Sequence, residues 1–147
     1  MKDIEYLKKY YKGNMDEAIE RLNNGEPVQY IVGNVDFYGS TLKVNKNVLI
    51  PRFETESLVE KTIYYSKKYL KEPLKIIDLG TGNGIIPLMI AKSRANSIVG
   101  LEIQEENVEI AKRSVELNQL EEKIQIIHGD IKAVEKKFTK HSFDVVI

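Results

Sequence analysis

The sequence predicts an α/β fold in which a small α+β head precedes a parallel, doubly wound sheet. From residue 75 onward, continuous apolar strands alternate with amphipathic helices, a pattern typical of parallel sheets that carry helices on their faces. The first of these strands ends in a glycine-rich loop that leads into a helix. The composition is 42% hydrophobic and 30% charged, which is enough to build a core.

The head begins with two predicted helices in residues 3–24, separated at Gly13. Each helix carries apolar residues on one face. These are Ile4, Leu7 and Tyr11 in the first helix, and Met15, Ala18, Ile19 and Leu22 in the second. Asn14, followed three positions later by Glu17, resembles a capping box and predicts where the second helix begins.

Residues 28–50 predict short β-strands because β-branched and aromatic residues cluster between glycines and asparagines. The three runs are VQYIV, VDFYG and TLKVN. Pro51 ends this region, and a helix is expected over residues 54–69. Its buried face is expected to contain Leu58, Val59, Thr62, Ile63 and Leu70.

The second half of the chain predicts four strands with helices between them. The strands are expected at 75–79, 97–103, 123–127 and 143–147, and the helices at 85–92, 105–120 and 132–138.

Charge and residue counts narrow the function classes. Lys and Arg total 22, as do Asp and Glu, so the chain lacks the basic excess of a general nucleic-acid binder. There is no cysteine and there are two histidines, which argues against disulfides, a thiolate zinc site or any other metal centre. The charged N-terminus and the short apolar runs predict a cytoplasmic protein with no membrane association.

The glycine-rich loop, residues 78–84 with the sequence DLGTGNG, is the strongest local motif. Its glycines allow a tight turn and close approach of a ligand, and the next helix offers free amide donors. A dinucleotide fingerprint requires a glycine where Ile85 stands, and a P-loop requires a Gly-Lys-Ser/Thr triplet that the chain lacks. A nucleotide-like ligand of another kind is therefore expected.

Two acidic residues follow later strands. Glu102 ends the second strand, where a carboxylate is able to accept hydrogen bonds from both hydroxyls of a ribose. The alternative is a solvated acid at a strand end. Asp130 follows the third strand, where it is able to accept an adenine amine while Ile131 packs on the ring. The alternative for Asp130 is an N-cap of a helix over 131–138.

These motifs resemble the cofactor motifs of class I S-adenosylmethionine-dependent methyltransferases: DLGTGNG, the acid in GLEI and the GD of HGDI. The resemblance implies a Rossmann-like core that holds S-adenosyl-L-methionine, of which the first four strands are present. It implies no catalytic residue in this chain, and a cofactor site formed by Gly80, Thr81, Gly82, Asn83, Gly84, Glu102, Asp130 and Ile131.

The N-terminal half resembles the release-factor glutamine methyltransferases, the HemK/PrmC family. The segments that carry this resemblance are GEPVQYIVG (25–33), FYG (37–39) and VLIPRFETESLVE (48–60), with Phe53 where the family has a second proline. The resemblance implies a helical head (1–34), a β-hairpin with a linking helix (35–73) and the N-terminal half of the methyltransferase domain (74–147). The implied reaction is methylation of a glutamine side-chain amide, with a peptide chain release factor as the protein substrate.

Two alternatives stay open. Residues 75–147 look closer to bacterial tRNA adenine-N6 methyltransferases, which would make tRNA the partner. Both families carry an Asn-Pro-Pro-Tyr motif just after a strand that resembles FDVVI, and the sequence stops at Ile147 before it. We therefore expect residues 1–147 alone to be inactive, and a non-catalytic cofactor-binding fragment is the third possibility.

Overall fold

A computed structural model of the chain describes residues 2–93 and 97–147. The head contains helices α1 (Asp3–Tyr10), α2 (Met15–Asn23) and α3 (Val28–Val32). They pack around a small apolar cluster of Leu7, Ala18, Val28 and Ile31. The Asn14 side chain accepts hydrogen bonds from the backbone N–H groups of Asp16 and Glu17, so the predicted start of α2 is confirmed.

The prediction of a strand at VQYIV is wrong, because Val28–Val32 forms helix α3. Pro27 precedes the helix, and Gly33 ends it in a left-handed conformation with its N–H bonded to Gln29 O at 2.8 Å. Val28 and Ile31 lie three positions apart, which in a helix brings both onto the cluster of the head. Burial of these two side chains outweighs the weak preference of β-branched residues for strands.

A β-hairpin follows, with antiparallel strands β1 (Asn34–Phe37) and β2 (Ser40–Lys43). Tyr38 and Gly39 form its two-residue turn with φ values of 51° and 70°, as a type I′ turn requires.

Helix α4 (Phe53–Tyr69) matches the predicted range to one residue. Its predicted buried face is partly wrong: Val59 is buried, but Leu58 is 45% exposed and Leu70 is exposed as well. The helix packs against the helix that follows the glycine loop. The buried residues of α4 are Val59 and Ser66, so the buried surface of the helix is narrower than the apolar face predicted from the sequence. Leu58 instead lines an open groove beside the last strand of the sheet.

The main sheet has four parallel strands, β3 (Lys75–Leu79), β4 (Ser97–Glu102), β5 (Ile124–His128) and β6 (Val145–Val146). Their order in the sheet is β5-β4-β3-β6. Parallel strands end at the same edge, so Leu79, Glu102 and His128 lie at the carboxyl edge of the sheet. The α/β class and the parallel sheet are confirmed, although β6 is shorter than the predicted 143–147.

Three helices connect these strands: α5 (Ile85–Ser93), α6 (Glu105–Leu117) and α7 (Val134–Lys137). The predicted helix 132–138 is divided into a 3₁₀ turn, Ile131–Ala133, and α7. Helix α6 ends three residues earlier than predicted, and it also holds the hairpin: Lys43 N donates to Ser114 Oγ at 3.0 Å. The division of the chain at residues 34 and 73 stays a prediction.

Candidate functional site

The loop of residues 80–84 leaves the carboxyl end of β3 with its backbone exposed to a cavity. Gly80 and Gly82 have φ values of 81° and 58°, and a Cβ atom at either position would meet nothing within 4 Å. The positive φ values account for glycine here, and the open space beside both residues is room for a ligand. Gly84 N donates to Thr81 O at 3.0 Å and Leu88 N to Gly84 O at 3.1 Å, which continues the loop into α5.

The loop is anchored to the end of β4. Gly80 N and Thr81 N both donate to Leu101 O, at 2.8 and 3.0 Å. Gly82 N donates to Glu102 Oε2 at 2.9 Å, and Gln104 N donates to Glu102 Oε1 at 2.9 Å. A carboxylate offers about four acceptor positions, so each oxygen of Glu102 keeps capacity for a ligand.

Asp78 is the first residue of the predicted motif DLGTGNG, but the sequence reasoning gave it no role in the site. It lies in the inner strand β3, one residue before the carboxyl end of that strand, and is 2% exposed. Its Oδ2 has no hydrogen-bond partner among the described residues. Burial raises the pKa of this carboxyl to about 6; the Thr81 hydroxyl acts in the opposite direction, and the nearby Glu102 carboxylate adds to the rise. An acid inside the otherwise apolar strand KIIDL was the available signal.

The cavity has a volume of about 350 Å³ and lies between two walls. Residues 80–83 form one wall, and residues 47–52 form the wall opposite. Asn83 and Asn107, both buried, also line it. The Asn83 Nδ2 and Asn107 Oδ1 atoms have no partner within the described parts of the chain. Both atoms are themselves buried, so the lining of the cavity contains a donor and an acceptor that are unsatisfied, which native structures rarely leave without a partner.

Asp130 and Ile131 lie at the end of the next strand, apart from these cavity walls. Gly129 N donates to Glu102 O at 2.9 Å, which places this stretch next to Glu102. Asp130 Oδ1 accepts from Lys132 N at 2.9 Å, so the carboxylate caps the 3₁₀ turn, as its alternative reading expected. Ile131 is 49% exposed. The structure thus joins Gly82 to Glu102 directly, and the ligand roles of all eight predicted residues stay predictions.

Within residues 2–93 and 97–147, no group of three or more His, Cys, Asp or Glu side chains is arranged to hold a metal ion. In the same ranges, no helix has the length and apolar character to cross a membrane. His128 Nε2 lies 2.8 Å from Ile103 O, a contact with the backbone of the strand end.

Two solved structures of proteins described as methyltransferases have a similar fold. The bifunctional kinase-methyltransferase WbdD matches with a TM-score of 0.54 and 25% identity, over 63% of this chain and 20% of that one. A Galdieria sulphuraria protein assigned as a sarcosine dimethylglycine methyltransferase matches with a TM-score of 0.55 and 19% identity, over 63% of this chain and 34% of that one. The Rossmann-like class I methyltransferase core predicted from the sequence is confirmed.

Curated relatives are more similar in sequence. The release factor glutamine methyltransferase of Lactococcus lactis subsp. lactis is 39% identical over 134 residues, which are 90% of this chain and 46% of that protein. That of Staphylococcus aureus is 35% identical over 78% of this chain and 40% of that protein. The chain thus spans less than half the length of these relatives, and the predicted resemblance to them is confirmed. A family profile described as a methyltransferase domain matches residues 70–147, more than half of the sequence, and the chain therefore belongs to the methyltransferase domain family.

Proposed function

We propose that this chain is part of a release-factor glutamine methyltransferase, which transfers a methyl group to a glutamine side-chain amide. The observation that carries the proposal is the 39% identity to the Lactococcus lactis enzyme over 90% of the chain. The proposed partner is a peptide chain release factor. The cytoplasmic location stays a prediction.

We propose S-adenosyl-L-methionine as the cofactor, and the residues of the site fit it. A Cβ atom at Gly80 or Gly82 would meet nothing within 4 Å, so a ligand is able to approach the backbone of the loop closely. Glu102 is held by two backbone N–H groups, so its orientation is set before a ribose arrives. Asp130 and Ile131 are proposed to meet the adenine. When bound, this cofactor supplies a methyl group on a positively charged sulfur.

The residues of this chain bind and orient the donor. An amide nitrogen is a poor nucleophile because its lone pair is delocalised, so transfer depends on aiming it at the methyl group. Holding the donor lowers no barrier unless the acceptor is also oriented. We assign no residue of this chain to the acceptor, and the inactivity of residues 1–147 alone stays a prediction.

A chimeric protein tests the proposed function directly. Residues 1–147 would replace the matching segment of the Lactococcus lactis enzyme, and transfer from labelled S-adenosylmethionine would be measured with a release factor and with unmodified tRNA. Label in the release factor but not in the tRNA is expected. Label in the tRNA alone would favour the adenine-N6 alternative. Cofactor binding without label in either would favour a non-catalytic binding role.

Cofactor binding is tested separately on the chain itself. Titration calorimetry with S-adenosylhomocysteine is expected to show binding that Gly82→Val abolishes, because a β-branched residue is strained at a φ of 58° and fills the open space. Gly39→Val is the matched control, since it has a similar φ of 70° in the hairpin turn, away from the cavity. Equal loss of binding in both variants would indicate general damage to the fold, whereas unchanged binding by Gly82→Val would contradict the assignment of the loop.

A further inference from the structure

Hydrogen bonds to the first turn of α6 fix the position of one wall of the cavity, residues 47–52. Asn45 Nδ2 donates to Glu106 Oε1 at 3.1 Å, and Asn47 Nδ2 donates to Glu106 Oε2 at 2.6 Å. A single carboxylate therefore accepts from the side-chain amide of Asn47, the first residue of this wall, and from that of Asn45, two residues before it. The turn between them is closed by Asn47 N bonded to Asn45 Oδ1 at 2.9 Å and Val48 N bonded to Asn45 O at 3.0 Å.

The opposite wall is anchored by the same short stretch of chain. Glu102 accepts from Gly82 N of the glycine loop, and its other oxygen accepts from Gln104 N, just before α6 begins. Asn107, next to Glu106, lines the cavity itself. Residues 102–107 thus connect both walls, with Glu102 bonded to one and Glu106 to the other.

The chemistry of this contact favours a carboxylate at position 106. Glu106 is the second residue of α6, where the helix dipole stabilises a negative charge. Hydrogen bonds to an ionised acceptor are stronger than those between neutral groups. A side chain with one acceptor oxygen is unable to accept from both amides in this way.

We propose that Glu106 is a positioning residue, which sets the distance between residues 47–52 and the glycine loop without touching the ligand. The ligand named in its test rests on the proposed function, whereas the positioning role rests on the hydrogen bonds alone. Removing the carboxylate takes away the acceptor of both asparagine Nδ2 groups, so the wall moves away from the loop and the ligand loses contacts on one side.

The test compares Glu106→Ala with Glu105→Ala. Glu105 is the matched control because it is an exposed acid in the same helical turn and makes none of these contacts. Calorimetry with S-adenosylhomocysteine is expected to show about fivefold to tenfold weaker binding for Glu106→Ala, from the loss of two exposed charge-assisted bonds, and no change for Glu105→Ala. Glu106→Gln keeps one acceptor oxygen and is expected to restore part of the affinity.

A double-mutant cycle shows whether Glu106 acts through the asparagines. Asn45 does not line the cavity, so Asn45→Ala combined with Glu106→Ala should weaken binding by less than the product of the two single effects. Fully multiplicative effects would overturn the proposal.

Amide hydrogen exchange gives a readout that needs no ligand. Glu106→Ala is expected to speed exchange at Asn47 and Val48, whose N–H groups close the turn, and to leave α5 unchanged. Unchanged exchange at these two amides would overturn the proposal, as would faster exchange with unaltered affinity. If the unmodified chain binds no S-adenosylhomocysteine, the proposed cofactor fails, and exchange alone then decides the positioning role.

Discussion

Replacing Asp78 by asparagine removes a charge that the fold buries near the carboxyl end of the inner strand β3. The side chain is 2% exposed, and Glu102 lies close to it. Asparagine has nearly the same shape but carries no charge at any pH. We therefore expect Asp78→Asn to stabilise the folded chain at neutral pH, where the wild-type carboxyl must ionise in a site with little water.

The size of the effect follows from the pKa of the buried carboxyl. It is about 6 in the folded chain against an ordinary value of 3.8, and each pH unit of difference is worth about 1.4 kcal/mol. Between these two values the folded state binds more protons than the unfolded state, so its stability falls as the pH rises. The gain for Asp78→Asn is then about 3 kcal/mol at pH 7 and about half of that at pH 5.

Urea unfolding at pH 5 and pH 7 measures this gain as a shift in the free energy of unfolding. Asp16→Asn is the control, because Asp16 is exposed in the first turn of α2; it should lose at most about 1 kcal/mol through the helix dipole. A gain for Asp78→Asn that is the same at both pH values, or a loss at pH 7, would refute the reasoning from burial.

Three further substitutions test particular contacts. Glu102→Gln places an NH2 group against one of the two backbone N–H donors that Glu102 accepts from. It should lower the free energy of unfolding by about 1–3 kcal/mol and weaken the binding of S-adenosylhomocysteine. An unchanged affinity in calorimetry would contradict the assignment of this residue. Gly100→Ala brings a Cβ atom within 2.9 Å of Ile126 Cδ1, so urea unfolding should show a free energy of unfolding that is lower by about 1–3 kcal/mol. A higher free energy of unfolding would show that the packing between β4 and β5 accommodates the added methyl group. Asn14→Ala removes the cap of α2 and should cost about 1 kcal/mol by thermal unfolding, whereas no change in the midpoint would mean that water replaces the cap.

Local patterns in the sequence were sufficient to predict the secondary structure wherever one residue type or one periodicity sets the conformation. The glycine loop at residues 80–84 was predictable because only glycine readily adopts the positive φ values that the turn requires. The first strand, Lys75–Leu79, was predictable because its residues are mainly apolar and β-branched. Helix α4 begins and ends within one residue of its prediction, because Pro51 and Pro73 bound a long periodic segment. These signals lie within a few residues of one another, so they are visible before the chain folds.

Contacts between residues far apart in the sequence decided the conformation of Val28–Val32 and the exposure of Leu58. Val28–Val32 is a helix because Val28 and Ile31 then pack against apolar side chains of the first two helices. Those side chains lie outside VQYIV, so the segment alone does not indicate this contact. Leu58 is exposed because α4 packs through a narrower stripe than its apolar face suggests. Propensity differences of this kind are small, and tertiary burial outweighs them.

The candidate site divides in the same way. The residues predicted to bind a nucleotide-like ligand, the glycines and the acids at strand ends, were recognisable from order and spacing along the chain. The bond from Gly82 N to Glu102 and the contacts of Asn45 and Asn47 with Glu106 join residues 20 to 61 positions apart. Such bonds depend on how strands and helices are arranged in space, since a hydrogen bond requires two groups within about 3 Å. Only the packed structure brings those groups together, and it alone buries Asp78 deeply enough to raise its pKa.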